Sequence, residues 1–166
     1  NLLGILLAGN SNGLAVPNII GDYEFNKIKE SAPMNIEIIE TEKTAFGNLI
    51  LANDNGALVD PTFSNSLLKK LEDLLQVEVV RGQISNLSYV GSLALATNKG
   101  VITHPLIRNN EREAIKDVLK AEVEPCTVNG GVPFIRSGLL ATSRGAVTGP
   151  LTVGKELMTI SQVMEL

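Results

Sequence analysis

Gly47-Asn48-Leu49-Ile50-Leu51-Ala52-Asn53-Asp54-Asn55-Gly56-Ala57-Leu58-Val59-Asp60-Pro61 is the stretch on which the fold turns. Gly47 to Ala52 is a nearly continuous apolar run of strand length. Asn53 to Gly56 is turn chemistry, because Asn and Gly tolerate the positive φ of tight hairpins. Ala57-Leu58-Val59 returns as a second strand, and Pro61 stops it by removing a backbone donor. Downstream, Ser64 or Asn65 can cap a helix whose stripe is Leu67, Leu68, Leu71, Leu74 and Leu75, with Lys69, Lys70, Glu72 and Asp73 opposite. Val77-Glu78-Val79-Val80 then reads as a third strand. The predicted unit is strand, strand, helix, strand.

This unit recurs. Gly4 and Gly13, Gly47 and Gly56, and Gly91 and Gly100 are pairs nine residues apart. The later members, continued by Gly145, advance in steps of 43, 44 and 45 residues, and each is followed by a proline: Pro17, Pro61, Pro105 and Pro150. A period in this range marks supersecondary units that bury their apolar faces against neighbours. Four units are expected, at about 1–44, 45–88, 89–134 and an incomplete 135–166, within one α/β repeat domain. The first hairpin is read as Leu2 to Ala8 and Leu14 to Val16. It is followed by a helix from Asp22 to about Ala32 and a strand at Ile36 to Ile39. In the third unit, strands at Ser92 to Ala96 and Val101-Ile102 flank the turn, and Asn110 with Glu113 resembles a capping box. The fourth unit offers Leu139-Leu140, Ala146-Val147 and a helix carrying Leu157, Ile160 and Met164.

Composition narrows the function. The 166 residues are 44% hydrophobic and carry a net charge of −4, with one cysteine, one histidine and no tryptophan. Apolar runs stay at strand length, so no membrane span is read. One Cys and one His cannot supply a tetrahedral zinc site. A lone Cys126 excludes a disulfide framework and suits a reducing cytoplasm. An acidic chain poor in aromatic residues is ill suited to gripping nucleic-acid phosphates over a broad face, and fits a basic protein partner better.

Two tempting motifs fail on their chemistry. Gly149-Pro150-Leu151-Thr152-Val153-Gly154-Lys155-Glu156 nearly spells a phosphate-binding loop. However, the Ser or Thr that should hold Mg²⁺ is Glu156, so the stretch reads as a turn and helix start. Glu111 and Glu113 read as a solvated helix face rather than an acid/base pair. Arg81, Arg136 and Arg144 lie near unit junctions, where structural salt bridges are the default and contact with RNA is the alternative.

The residues that carry the repeats also carry a resemblance. Gly13 to Pro17, Thr44-Ala45-Phe46-Gly47-Asn48, Val90-Gly91-Ser92, Thr97-Asn98-Lys99-Gly100, His104-Pro105, Thr127-Val128-Asn129 with Gly131, and Ile135-Arg136-Ser137-Gly138-Leu139 succeed one another in order. In this the chain resembles the archaeal and eukaryotic translation initiation factor 6 family, most closely its archaeal branch. The resemblance implies a pentein fold, a pseudo-fivefold α/β propeller of which four repeats stand here, with the first repeat expected upstream of Asn1. It implies a cytoplasmic, monomeric, non-enzymatic factor that needs no cofactor or metal and engages neither membrane nor DNA. Such a factor binds the large ribosomal subunit, through ribosomal proteins and the sarcin-ricin loop of its RNA. It thereby prevents joining of the small subunit and takes part in large-subunit maturation.

Carried over by motif, the ribosome-binding residues are Leu3, Gly4 and Ile5; Gly47 and Asn48; Gly91, Ser92 and Leu93; and Asn129, Gly131 and Val132. The C-terminal segment from Val163 to Leu166 adds to this contact. The glycines serve unit packing equally well, whereas Asn48, Asn129 and Val132 weigh toward contacts. A competing reading comes from pentein enzymes that modify guanidino groups, for which Cys126 would be the nucleophile and His104 the base. The acids flanking Cys126 in an expected strand from Glu122 to Val128 oppose it, since they raise a thiol's pKa.

Overall fold

A computed structural model describes residues 3–166. It is a mixed α/β structure of small separate sheets, and no closed barrel joins them among the described residues. The chain opens with a helical turn, α1 (Leu3–Leu6), then β1 (Ala8–Gly9), β2 (Gly13–Pro17), α2 (Asp22–Ser31) and β3 (Asn35–Ile39). The same order returns as α3 (Phe46–Leu49), β4 (Ile50–Ala52), β5 (Gly56–Val59), α4 (Asn65–Leu75) and β6 (Glu78–Arg81). It returns again as α5 (Val90–Leu93), β7 (Ala94–Ala96), β8 (Gly100–Thr103), α6 (Asn109–Leu119) and β9 (Glu122–Pro125). The last stretch has a 3-10 turn (Ile135–Ser137), β10 (Leu139–Thr142), β11 (Gly145–Thr148) and α7 (Gly154–Met164). In each three-stranded sheet the hairpin is antiparallel, and the strand after the helix pairs parallel with the hairpin's second strand.

The expected strands at Leu2–Ala8, Gly47–Ala52 and Ser92–Ala96 are therefore corrected. Leu2 lies outside the described residues, and each run begins as a helical turn and becomes strand only in its last residues. The turn sends Phe46 and Leu49, and likewise Val90 and Leu93, into the interior. A short apolar run does not reveal which of these geometries it adopts. The capping box of α6 also moves. Glu111, rather than Glu113, accepts from the Arg108 backbone N–H at 3.0 Å. The α4 cap is Ser64, whose hydroxyl accepts from Leu67 N.

The apolar core sits between successive units. Leu67, Leu71, Leu74 and Leu75 of α4 pack with Ala8, Ala15 and Ile39 of the preceding sheet. Ile115, Val118 and Leu119 of α6 pack with Leu51 and Leu58, and Ile160 and Met164 of α7 with Leu95 and Ile102. Each such buried side chain contributes about 1.5–3 kcal/mol.

Three glycines set the distance. A Cβ at Gly13, Gly56 or Gly100 would lie 2.2 Å from the carbonyl oxygen of Leu74, Val118 or Val163, near the C-terminal ends of α4, α6 and α7 respectively. Neighbouring polar side chains cap the same helix ends. Asn12 donates to Leu75 O, Asn55 to Leu119 O, and Lys99 to Glu165 O. Asn10 and Asn53 close their own turns and bridge onward, Asn53 donating to Thr97 O and Leu119 O.

At the fourth hairpin the pattern changes. A Cβ at Gly145 would meet nothing within 4 Å, and Leu140 and Val147 are 68% and 69% exposed. At the opposite flank α2 buries none of its residues.

Candidate functional site

The helical turns stack in chain order, α1 on α3, α3 on α5, and α5 on the 3-10 turn. Glycine permits this approach. A Cβ at Gly47 would lie 2.1 Å from Gly4 O, and one at Gly91 2.3 Å from Gly47 O. Of the ribosome-binding residues expected from sequence, Gly47, Gly91 and Leu93 are buried in this stack, where the glycines set the spacing of the turns. Leu3, Gly4 and Ile5 are exposed, and Asn48 and Ser92 are half-buried.

These accessible residues surround a cavity of about 580 Å³. Leu3, Ile5, Phe134, Leu139 and Leu140 form its apolar walls, and Asn48, Ser92 and Ser137 supply polar edges. Arg136 of the 3-10 turn is the one charged group in its lining among the described residues. Burial pushes the guanidinium below the ordinary arginine value. No carboxylate among the described residues pairs with it, and its side chain makes no hydrogen bond there. Arg136 and Leu140 also line a second cavity of about 430 Å³, which extends to the hairpin turns at Asn10, Asn53 and Thr97.

Asn129, Gly131 and Val132 belong to a different structure, a tight turn ahead of the 3-10 turn, closed by a bridge between Val128 and Val132. Asn129, Gly130 and Gly131 have φ of 50°, 73° and 114°, and the two glycines accept this left-handed region without strain. Glu156 holds the turn. It is 5% exposed, and its carboxylate accepts from Gly130 N and Gly131 N at 3.0 Å, Thr127 Oγ1 at 2.6 Å and Val153 N at 2.9 Å. Burial alone would raise this carboxyl, but the Thr127, Val153, Gly130 and Gly131 donors outweigh it and hold the pKa at about 2. Asn129 also has a packing role. Its amide fills the space left by the missing side chains of Gly138 and Gly149, and its backbone N–H donates to Thr152 Oγ1.

Glu111 performs the same task one unit earlier, accepting from Ser85 N, Asn86 N and Arg108 N, so it is not a solvated helix face. Sequence reasoning missed both clamps. The signal was a repeated separation, since Ser85 precedes Glu111 by 26 residues, as Gly130 precedes Glu156.

The nucleophile hypothesis loses its chemistry here. The strand β9 ends at Pro125, before Cys126. Burial raises the Cys126 thiol, and the nearby Glu156 raises it further, so no thiolate is favoured. His104 Nδ1 accepts from Leu106 N and sits 3.1 Å from Ser85 Oγ. It closes a turn as Asp60 does for Thr62, and burial lowers its pKa. Neither Cys126 nor His104 lines the cavities just described. The arginines also depart from the salt-bridge default. Arg81 donates to Phe63 O and Asn65 Oδ1, and neither it nor Arg144 pairs with a carboxylate among the described residues. No group of three or more His, Cys, Asp or Glu suited to a metal ion occurs among those residues, and no helix there is long and apolar enough to cross a membrane.

A family model described as the eIF-6 family matches residues 1–163. The chain is 45% identical over 161 residues to a protein of Cenarchaeum symbiosum named Translation initiation factor 6, covering 97% of this chain and 73% of that relative. It is 48% identical over 168 residues to the protein of the same name from Pyrococcus furiosus, covering 98% and 74%. The Saccharolobus solfataricus protein of that name is 41% identical over 165 residues, again covering 98% and 74%.

Proposed function

We propose a ribosome-directed function on one premise: the chain belongs to the eIF-6 family. It acts in translation initiation by binding the large ribosomal subunit on the face that meets the small subunit, and it prevents their joining by occupying that surface. Binding and exclusion suffice, so the protein is a cytoplasmic, monomeric factor rather than an enzyme, and it uses no cofactor. Its partners are large-subunit proteins and the sarcin-ricin loop of the RNA, and it serves maturation of the same subunit.

The observation that carries this reading is the stacked-turn end of the molecule. There Leu3, Gly4, Ile5, Asn48 and Ser92, drawn from three successive turns, are accessible together, on a base fixed by the Gly47 and Gly91 backbones. A surface built on stacked backbone loses little entropy on docking. Val132, on the turn clamped by Glu156, and the C-terminal segment from Val163 to Leu166 extend it.

The fold reading deepens in the same way. The four units form one repeat domain with the boundaries read from the sequence, and a fifth sector completes a pentein ring. Its support is the open seat at the fourth hairpin. Gly145 stands where Gly13, Gly56 and Gly100 each receive a helix end, while α2 at the other flank covers no hairpin.

The test is co-sedimentation with isolated archaeal ribosomal subunits. The chain should pellet with large subunits and not with small ones, and it should lower the yield of joined ribosomes in a gradient. Asn48→Ala or Val132→Asp should weaken binding without lowering the melting temperature. Equal pelleting with both subunits would overturn the function, and unchanged affinity in both variants would overturn the face.

A further inference from the structure

The cavity beneath the stacked turns combines two features that rarely occur together. Its walls are aliphatic, from Leu3, Ile5 and Leu140, yet Arg136 stands in it as a lone cation with no carboxylate partner among the described residues. Arginine stays protonated under these conditions and carries five N–H donors in a planar fork. The hydrogen bonds formed among the described residues engage none of those side-chain donors. An unpaired charge withdrawn from water is destabilising unless an anion meets it.

We propose that this recess receives an acidic peptide segment of a large-subunit protein, its carboxylate paired with Arg136 and an adjacent aliphatic side chain seated against Leu3 and Ile5. The inference rests on the docking face proposed above and names the chemistry of what enters it. A carboxylate matches the guanidinium fork with two parallel hydrogen bonds. The aliphatic neighbour matches the walls, which a phosphate backbone would leave unused. Nucleic-acid phosphates also demand several cations along their track, and the lining of this cavity supplies one among the described residues. Asn48 and Ser92 on the rim remain available for the peptide's backbone groups, since neither side chain is hydrogen-bonded within the described residues.

Two measurements test this. In the first, Arg136→Met removes the charge while keeping length and apolar packing. It should weaken pelleting with large subunits at least tenfold, with an equal or higher melting temperature. If Arg136→Met binds within twofold of wild type while Asn48→Ala binds weakly, the docking face stands and the carboxylate recess falls. In the second, the Arg136 Nε–Hε resonance of the full chain is followed by NMR during titration with isovalerate, isovaleramide and inorganic phosphate. Isovalerate should shift it and isovaleramide should not. No shift with isovalerate, an equal shift with the amide, or a larger shift with phosphate overturns the proposal. This arm needs no ribosome, so it decides the carboxylate chemistry of the recess even if wild type fails to pellet with large subunits, a result that would sink the docking face and with it the ribosomal origin of the peptide.

Discussion

Replacing Glu156 with glutamine should be among the most costly conservative changes in this chain. Oε1 accepts from Thr127 Oγ1 and Gly131 N, and Oε2 accepts from Gly130 N and Val153 N. Glutamine offers one oxygen and one NH₂, so whichever way the amide turns, two donors face another donor. Each buried donor left unpaired costs about 1–3 kcal/mol, so two cost about 2–6 kcal/mol in total. The depressed pKa of the carboxyl expresses the same four hydrogen bonds. The carboxyl is held at about 2 against an ordinary 4.5, which corresponds to about 3 kcal/mol, and its 5% exposure leaves little solvent screening.

Because the folded value is depressed, this stabilisation is fully present above pH 4.5 and drains away as pH falls toward 2. Glutamine does not titrate, so the gap between Glu156→Gln and wild type should close over that window. Urea unfolding of both proteins at pH 7 and pH 2.5 measures it. With a denaturant slope of about 1–3 kcal/mol per molar, the midpoint should drop by about 1–3 M at pH 7. A gap below about 0.5 kcal/mol at pH 7, within the range of ordinary surface substitutions, would refute the clamp. A gap that stays constant down to pH 2.5 would refute the ionic part of it.

The glycines at unit junctions should divide sharply. Gly56→Ala, whose new Cβ would lie 2.2 Å from Val118 O, should cost at least about 2 kcal/mol in thermal unfolding, whereas Gly145→Ala, with open space around it, should stay within about 0.5 kcal/mol. Asn53→Ala removes a buried amide that donates to Thr97 O and Leu119 O and accepts from Asn55 N and Gly56 N. It should lower stability by about 2–4 kcal/mol in the same assay. Cys126→Ser should leave large-subunit pelleting unchanged, and wild type should show no turnover of arginine-like substrates. A loss of pelleting, or turnover that depends on Cys126, would revive the nucleophile.

What the sequence discloses follows the range of the interaction involved. Hairpin turns such as Asn53-Asp54-Asn55-Gly56 are closed by side chains two and three residues away, so their chemistry is written locally, and helix α4 declares itself through the spacing of its own leucines. The helical turns at Phe46–Leu49 and Val90–Leu93 do not, because a short apolar run fits either geometry and the backbone they pack against belongs to the previous unit, about 44 residues away in the chain. The candidate site depends most on such distant partners. Gly47 and Gly91 read in sequence equally as contacts and as packing glycines, and only the fold shows each pressed against its predecessor. Asn129 reads as a binding amide, and only the fold shows that its amide also fills the place of two absent side chains.

Arg136 shows the converse. Its sequence neighbours suggest an ordinary junction cation, and only the meeting of the first and last units, through Leu3, Ile5 and Leu140, reveals a half-buried charge beside an apolar wall with no carboxylate paired to it among the described residues. A repeat architecture therefore hides its site in a particular way. Repetition makes each sector legible, while the function belongs to the place where sectors differ. In this chain the 3-10 turn carries Arg136 where its stacked sibling α5 carries Gly91, and that departure from symmetry gives the cavity its one charge among the described residues.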